Sequence, residues 1–298
     1  MMVAQSIRQL ACLAACVFFA SPTLAAPIDI EIGVPKLLGA SGKRVVLWDP
    51  VLSNEKASIP GILKSAGQLA GSKAIKSVFN WNTKRPAEVP KTIPFRPTVW
   101  GPAHLQGDAW SSLVAEAAAQ KGNAIVHFFN EPERQGIDPG DAAAKWKAQM
   151  LPLRRQYGVK LASPACASDP DGIQWLQAFM GKLGSSEKPD YVNAHFYTLQ
   201  NSASAAEVEN AKAFFKRQHD TYKLPMIGGE IASVNRDRAQ VDLFTKEVSK
   251  WLDAQSWVVE YGFFGVSTKP ADTFVSPAAQ LMDGSGGWTD LGRWFFGV

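Results

Sequence analysis

The chain is 298 residues long, 46% hydrophobic and 19% charged, which excludes a disordered or fibrous protein and allows one large core or two modest ones. Its net charge is +4, from 31 basic and 27 acidic residues. That excess is too small and too scattered to require a nucleic-acid partner, and the close pairs Lys84-Arg85 and Arg154-Arg155 read as solvated surface.

Residues 1–25 have the form of a signal peptide. Arg8 precedes an apolar run from Leu10 to Ala20, and Thr23 and Ala25 supply small residues for cleavage after Ala25. The run is too short to span a bilayer comfortably, so the mature chain is expected to be secreted, outside the cell or in the periplasm, without a membrane anchor. Leu13-Ala14-Ala15-Cys16 looks like a lipoprotein box, but Cys16 sits inside the apolar run. Losing Cys12 and Cys16 with the signal leaves Cys166, so no internal disulfide is expected and packing alone must hold the fold. A monomer is expected.

After a lead at 26–43, strand and helix patterns alternate. A first strand at 44–50 is followed by a helix candidate at 61–71, with Ile62, Leu63, Ala66, Leu69 and Ala70 at helical spacing. A second strand at 75–81 leads through Pro86, Pro90 and Pro94 to a third at 96–100. A helix follows, with Asp108 as N-cap, Trp110, Leu113, Val114, Ala117 and Ala118 on one stripe, and Gly122 closing it. The strand at 124–130 leads to a helix over 141–157, and the strand at 160–163 to a helix carrying Ile173, Leu176, Met180 and Leu183. Strands at 191–197 and 226–229 each precede a helix, marked by Val208, Ala211 and Phe215 and by Val241, Phe244, Val248, Trp251 and Leu252. The last strand spans 258–265. Eight apolar strands alternating with helices over roughly 250 residues predict a single (β/α)8 TIM barrel, an α/β fold occupying 44–298. A doubly wound sheet would put a Gly-rich phosphate loop after an early strand, and Trp48-Asp49-Pro50 is nothing of the kind.

Barrel active sites lie at the C-terminal strand ends. Here those ends carry Trp48 and Asp49, Asn80 and Trp81, Trp100, Asn130 and Glu131, Ser163, His195 and Tyr197, Glu230, and Phe263 with Phe264. Flat rings beside amides, hydroxyls and acids suit the apolar C–H faces and hydroxyl rim of a sugar. The histidines at 104, 127, 195 and 219 share no metal-ligand spacing, so no metal or cofactor is expected. There is no Gly-X-Ser-X-Gly elbow. A lone strand-end glutamate is most often a cap or an ion-pair member, and Glu260, early in its strand, is read that way. Glu131 and Glu230 differ because each ends an apolar strand, after Asn130 and after Gly228-Gly229. Two acids facing each other across a cleft can hydrolyse a glycosidic bond, with retention at a separation of about 5–5.5 Å and inversion when wider.

The ordered set of segments is more specific. Val46-Leu47-Trp48, Phe79-Asn80-Trp81-Asn82, Arg96-Pro97-Thr98-Val99-Trp100-Gly101, Phe128-Phe129-Asn130-Glu131-Pro132, Ala162-Ser163-Pro164-Ala165 and Asn193-Ala194-His195-Phe196-Tyr197 together resemble glycoside hydrolase family 128 of clan A. Trp175-Leu176-Gln177-Ala178-Phe179, Ser276–Met282 and Thr289-Asp290-Leu291-Gly292 extend the resemblance over nearly all of 44–298. It implies a β-1,3-glucanase acting on oligo- or polysaccharide. Glu131 would be the general acid/base, with a raised pKa, and Glu230 the ionised nucleophile of a retaining double displacement. Asn130 would bind the sugar 2-hydroxyl, Tyr197 would hold the nucleophile, His195 would line the same subsite, and Trp81 and Trp100 would be stacking platforms. Trp48 and Phe263 complete the expected substrate-binding set. The sequence departs from the family pattern at Phe196 and Phe263, where Trp is expected, and at Ile227-Gly228-Gly229, where a bulkier residue and Thr are expected. Those departures leave linkage preference and endo or exo action open. The alternatives are another clan A β-glycosidase and a non-catalytic glucan-binding barrel.

Overall fold

The computed structural model describes residues 42–48 and 74–298. The signal peptide, most of the lead, Asp49 and the helix expected at 61–71 lie outside the described residues.

The described residues contain nine strand segments: β1 (Arg44–Leu47), β2 (Ile75–Phe79), β3 (Phe95–Arg96), β4 (Thr98–Val99), β5 (Ile125–Asn130), β6 (Lys160–Ala165), β7 (Val192–Tyr197), β8 (Met226–Ala232) and β9 (Val258–Phe263). Every strand pairing is parallel. β3 and β4 occupy one strand position cut by Pro97, which has no N–H for a ladder, although its carbonyl accepts from the His127 N–H at 3.0 Å. β3 pairs with β2, and β4 with β5. The ladder thus runs β3-β2-β1-β9-β8-β7 in one sheet and β4-β5-β6 in another. Between β6 and β7 only isolated bridges, Ala162 with Tyr191 and Cys166 with Ala194, join the two. The eight strand positions follow barrel order in an α/β fold, but no continuous ladder closes the ring. Where β1 meets β9, Tyr261 N–H donates to the Lys43 carbonyl at 2.8 Å. There the Lys43 ammonium also holds the carbonyls of Leu252, Asp253 and Gln255.

Among the described residues the α-helices are α1 (Gly107–Gln120), α2 (Pro139–Lys145), α3 (Leu151–Tyr157), α4 (Pro170–Gly181), α5 (Ser204–Tyr222), α6 (Arg238–Ala254) and α7 (Asp290–Phe296). Asp138, Asp169, Asp237 and Thr289 cap α2, α4, α6 and α7 by accepting from first-turn N–H groups. Asp108 lies inside the first turn of α1, not before it. The single helix expected over 141–157 is two: α2 passes through a π-helical turn, Trp146–Met150, into α3, where Pro152 withholds an N–H from the regular ladder.

The main core packs the strands' outer side chains against the helices, with Phe128, Trp146, Phe179, Phe215, Phe244 and Phe295 fully buried. A second cluster, Val45, Leu47, Phe79, Ala232, Phe264 and Val275, is contributed mainly by strand C-terminal halves, and Trp81 and Tyr197 pack against it. Gly262 is needed there, because a Cβ would come within 2.5 Å of Leu47 Cγ. This inner cluster forms the floor on which the polar groups of the mouth stand.

Candidate active site

Strands β5, β7 and β8 bring three side chains together. The apolar run of β5 ends at Asn130, and Glu131 takes a left-handed φ of +40°, an uncommon conformation for a residue with a side chain. Its N–H donates to the Ala165 carbonyl at 2.7 Å, which fastens the tip to β6. Gln135 Nε2 donates to the carbonyls of Trp100, at 3.1 Å, and Asn130, tying the β4 and β5 tips to one loop. On the next two strands His195 stands opposite Glu230 in register. Gly229 precedes the acid, and a Cβ there would lie 2.4 Å from Asn193 Oδ1, so a larger residue would need that amide to move.

One imidazole bridges both acids. His195, buried, places Nδ1 3.0 Å from Glu131 Oε1 and Nε2 3.5 Å from Glu230 Oε1. Glu230 also accepts from the Tyr197 hydroxyl at 2.6 Å on Oε2 and from the Trp81 indole N–H at 2.6 Å on Oε1. Trp81 reaches it from a left-handed turn, φ +58°, and its ring lies edge-on to Phe79 and Phe264. The Glu131 side chain is 26% exposed and that of Glu230 9%, so one acid opens to the mouth while the other is enclosed.

The three groups titrate as a unit. Burial lowers the pKa of His195, but the Glu230 and Glu131 carboxylates overcome it and raise the pKa to about 9. Burial pushes Glu131 up, yet the hydrogen bond and charge of His195 hold it below the usual carboxylate range. Burial dominates at Glu230 and, with the nearby Glu131 charge, leaves it raised despite His195, Tyr197 and Trp81. This reverses the order expected from the sequence, because the hydrogen bond and charge of His195 outweigh burial at Glu131 but not at Glu230. Among the described residues no cluster of three or more His, Cys, Asp or Glu is arranged to hold a metal ion.

Residues 60–295 match the family described as the glycosyl hydrolase catalytic core. Among solved structures, a subgroup VI exo-β-1,3-glucanase of glycoside hydrolase family 128 from Aureobasidium namibiae is 34% identical with a TM-score of 0.74, over 86% of this chain and 96% of that one. The chain belongs to glycoside hydrolase family 128. A subgroup V exo-β-1,3-glucanase from Cryptococcus neoformans is similar at 25% identity and a TM-score of 0.68, over 86% of this chain and 99% of that one. The fold also matches a curdlan-specific exo-β-1,3-glucanase of subgroup III from Blastomyces gilchristii, solved with glucose, at a TM-score of 0.67 and 22% identity, over 87% of this chain and 100% of that one. No curated protein sequence matches. The protein is therefore a glycoside hydrolase.

Within this family-128 barrel the sequence-derived residues divide by side-chain direction. Asn130, Glu131, His195, Tyr197, Glu230 and Trp81 gather at the strand ends, and Trp100 lies at the rim with 40% of its surface exposed. Two expected sugar contacts do not reach the mouth. Trp48 is buried in the main core. Phe263 is buried among Phe244 of α6, Tyr261 and Phe295 of α7. Strand alternation turns both toward the packed side, and the next residue, Phe264, faces Trp81 and Tyr197 instead. Phe274 was not singled out from the sequence. It is 40% exposed, packs on Tyr197 at 5.4 Å, and is held by Arg236, whose guanidinium donates to the Phe274 and Val275 carbonyls. It stands in a loop without periodicity, where sequence patterning carries no signal.

Proposed function

We propose that this protein is a secreted, retaining β-1,3-glucan hydrolase in which Glu131 is the acid/base and Glu230 the nucleophile. The observation that carries the reading is the pair of strand-end carboxylates joined through one imidazole, one partly open and the other enclosed and gripped by Tyr197 and Trp81. The family resemblance supports retention, and in that chemistry the Glu230 carboxylate attacks the anomeric carbon directly rather than through a water. Asn130 has a side-chain amide with no partner among the described residues, available for a sugar hydroxyl. Trp100 and Phe274, each 40% exposed, offer ring surfaces for sugars. The 34%-identical relative is an exo-β-1,3-glucanase, which makes end-wise release of glucose the mode to examine first. Export would remove 1–25 and leave 26–43 ahead of the catalytic domain at 44–298.

The test is to incubate the purified protein with laminarin and follow the first product by NMR. A β-configured sugar that mutarotates only later is expected; an α-configured first product rules out retention. Cellulose and other β-glucans serve as competing substrates, and preference for one of them would favour another clan A specificity. Replacing Glu131 or Glu230 by Gln should cut turnover about 10²–10⁴-fold while glucan binding survives, an outcome a merely glucan-binding barrel could not give.

A further inference from the structure

We propose that His195 is the proton store of the acid/base: in the free enzyme one proton shared by Glu131, His195 and Glu230 rests on the imidazole, and it passes across the Nδ1–Glu131 contact when the glycosidic bond breaks. This rests on the roles of Glu131 and Glu230 proposed above.

The geometry places the ring between two acids. Nδ1 is in hydrogen-bond contact with Glu131 Oε1 at 3.0 Å, and Nε2 lies at an ion-pair distance of 3.5 Å from Glu230 Oε1. Ionised carboxylates only accept hydrogen bonds and a neutral imidazole carries one N–H, so only the doubly protonated ring presents an N–H and a positive charge to both acids. The charges around the ring agree. Glu131 and Glu133 act on it from the loop after β5 and Glu230 from β8. His127 on β5 stays neutral, its pKa lowered by burial to about 4. The Cys166 thiol just after β6 and the Tyr197 hydroxyl on β7 are both pushed well above their ordinary values by burial, so neither supplies negative charge near neutrality. The one arginine acting on Glu131, Arg134, is engaged by Asp169 at the surface. Among the described residues in contact with Glu131 and Glu230, His195 is thus the buried group that can carry positive charge, and its pKa of about 9 follows.

The cycle balances. His195 gives its Nδ1 proton to Glu131, which passes it to the leaving glucosyl oxygen as the C–O bond breaks and the Glu230 carboxylate bonds to the anomeric carbon. The ring is then neutral, keeping Nε2–H, and Glu131 is ionised. In the second half water attacks the anomeric carbon and the ester to Glu230 breaks. Glu131 takes a proton from that water and returns it to Nδ1. No proton is gained or lost beyond those of the hydrolysis itself.

The experiment is the pH profile of kcat/KM on laminarin for the wild type and for His195→Gln. The wild-type alkaline limb is expected near pH 9. With glutamine the proton can reside only on a carboxyl group, so the limb should fall by roughly one pH unit or more toward the carboxylate range, with KM little changed. A limb that stays in place while kcat drops at every pH overturns the proposal, since that is what a ring that only lines the subsite would give. Should the variant fail to fold, NMR of the wild-type imidazole decides: a ring protonated at pH 7 supports the store and a neutral ring overturns it. Wild-type turnover in Glu131→Gln or Glu230→Gln would remove the underlying assignment. Loss of turnover in both with an unmoved His195→Gln limb would remove the proton store alone.

Discussion

Two buried glutamate–histidine clusters lie inside this barrel, and they have opposite electrostatic fates. In the first, Glu260 of β9 is clamped by the Arg96 guanidinium through three contacts of 2.6–3.1 Å, accepts from Ser77 at 3.2 Å, and stands 3.9 Å from His127. Burial pushes Glu260 up, but Arg96 holds it below the usual carboxylate range. With that charge already matched, His127 has no reason to ionise and stays neutral. In the second, two acids share His195 and, among the described residues, no guanidinium is in contact with either, and the pair of carboxylates raises the histidine pKa to about 9. A buried carboxylate with its own arginine is finished structurally; one that shares a histidine keeps a proton free to move.

The largest expected effects set the clusters apart by what breaks. Glu260→Gln leaves Arg96 buried and uncompensated and should cost about 3–5 kcal/mol of stability by denaturant unfolding. Replacing both partners together, Arg96→Met with Glu260→Leu, should recover most of it. Glu230→Gln should do the reverse, cutting turnover about 10²–10⁴-fold while leaving the melting temperature unchanged or raised. The folded state already disfavours the ionised form of Glu230, so the neutral amide relieves that cost. A strongly destabilised Glu230→Gln would show that its carboxylate is structural.

Next in size is Trp81→Phe. It removes a 2.6 Å charge-assisted hydrogen bond from Glu230, worth about 1.5–3 kcal/mol, so kcat should fall roughly ten- to hundredfold with folding intact. Unchanged turnover would demote the indole to packing.

The two histidines also predict opposite pH behaviour. His195 has its pKa raised from an unfolded value near 6.5 to about 9, so its contribution to stability is complete below about 6.5 and disappears as pH climbs through 9. His127 is lowered to about 4, so its neutral form supports the fold above about 6.5 and that support is lost as pH falls toward 4. Imidazole titration by NMR should find one ring on each side of neutrality. Two rings titrating together near 6.5 would erase the contrast.

The alternation of apolar strands with capped helices was legible in the sequence because both periods are local. So was the position of Glu131 and Glu230, since an acid ending an apolar run is visible without coordinates. Side-chain direction at Trp48 and Phe263 was not. Irregular pairings between Met226/Ile227 and between Gly228/Ile231 disturb the β8–β9 register, and a one-residue slip exchanges the packed and open sides. The interruption at Pro97 could be read from the residue, but the separation of β6 from β7 could not. The bridging role of His195 depends on three strands far apart in sequence, and the placement of Phe274 depends on Arg236 reaching across from another loop.

Trp100 gives the smallest expected effect and the sharpest view of the mouth. It is exposed, its backbone is fixed by His104 and Gln135, and neither acid touches it. Trp100→Ala should therefore leave the pH profile and melting temperature alone. Losing one ring face, worth about 0.5–1.5 kcal/mol, should raise KM for laminarin by up to roughly tenfold. Phe274→Ala should resemble it in KM but also lower kcat, because the Phe274 ring packs on the tyrosine that holds Glu230. If the two variants behave alike, the rings serve only as sugar surfaces; a kcat loss confined to Phe274→Ala ties that loop to the positioning of the nucleophile.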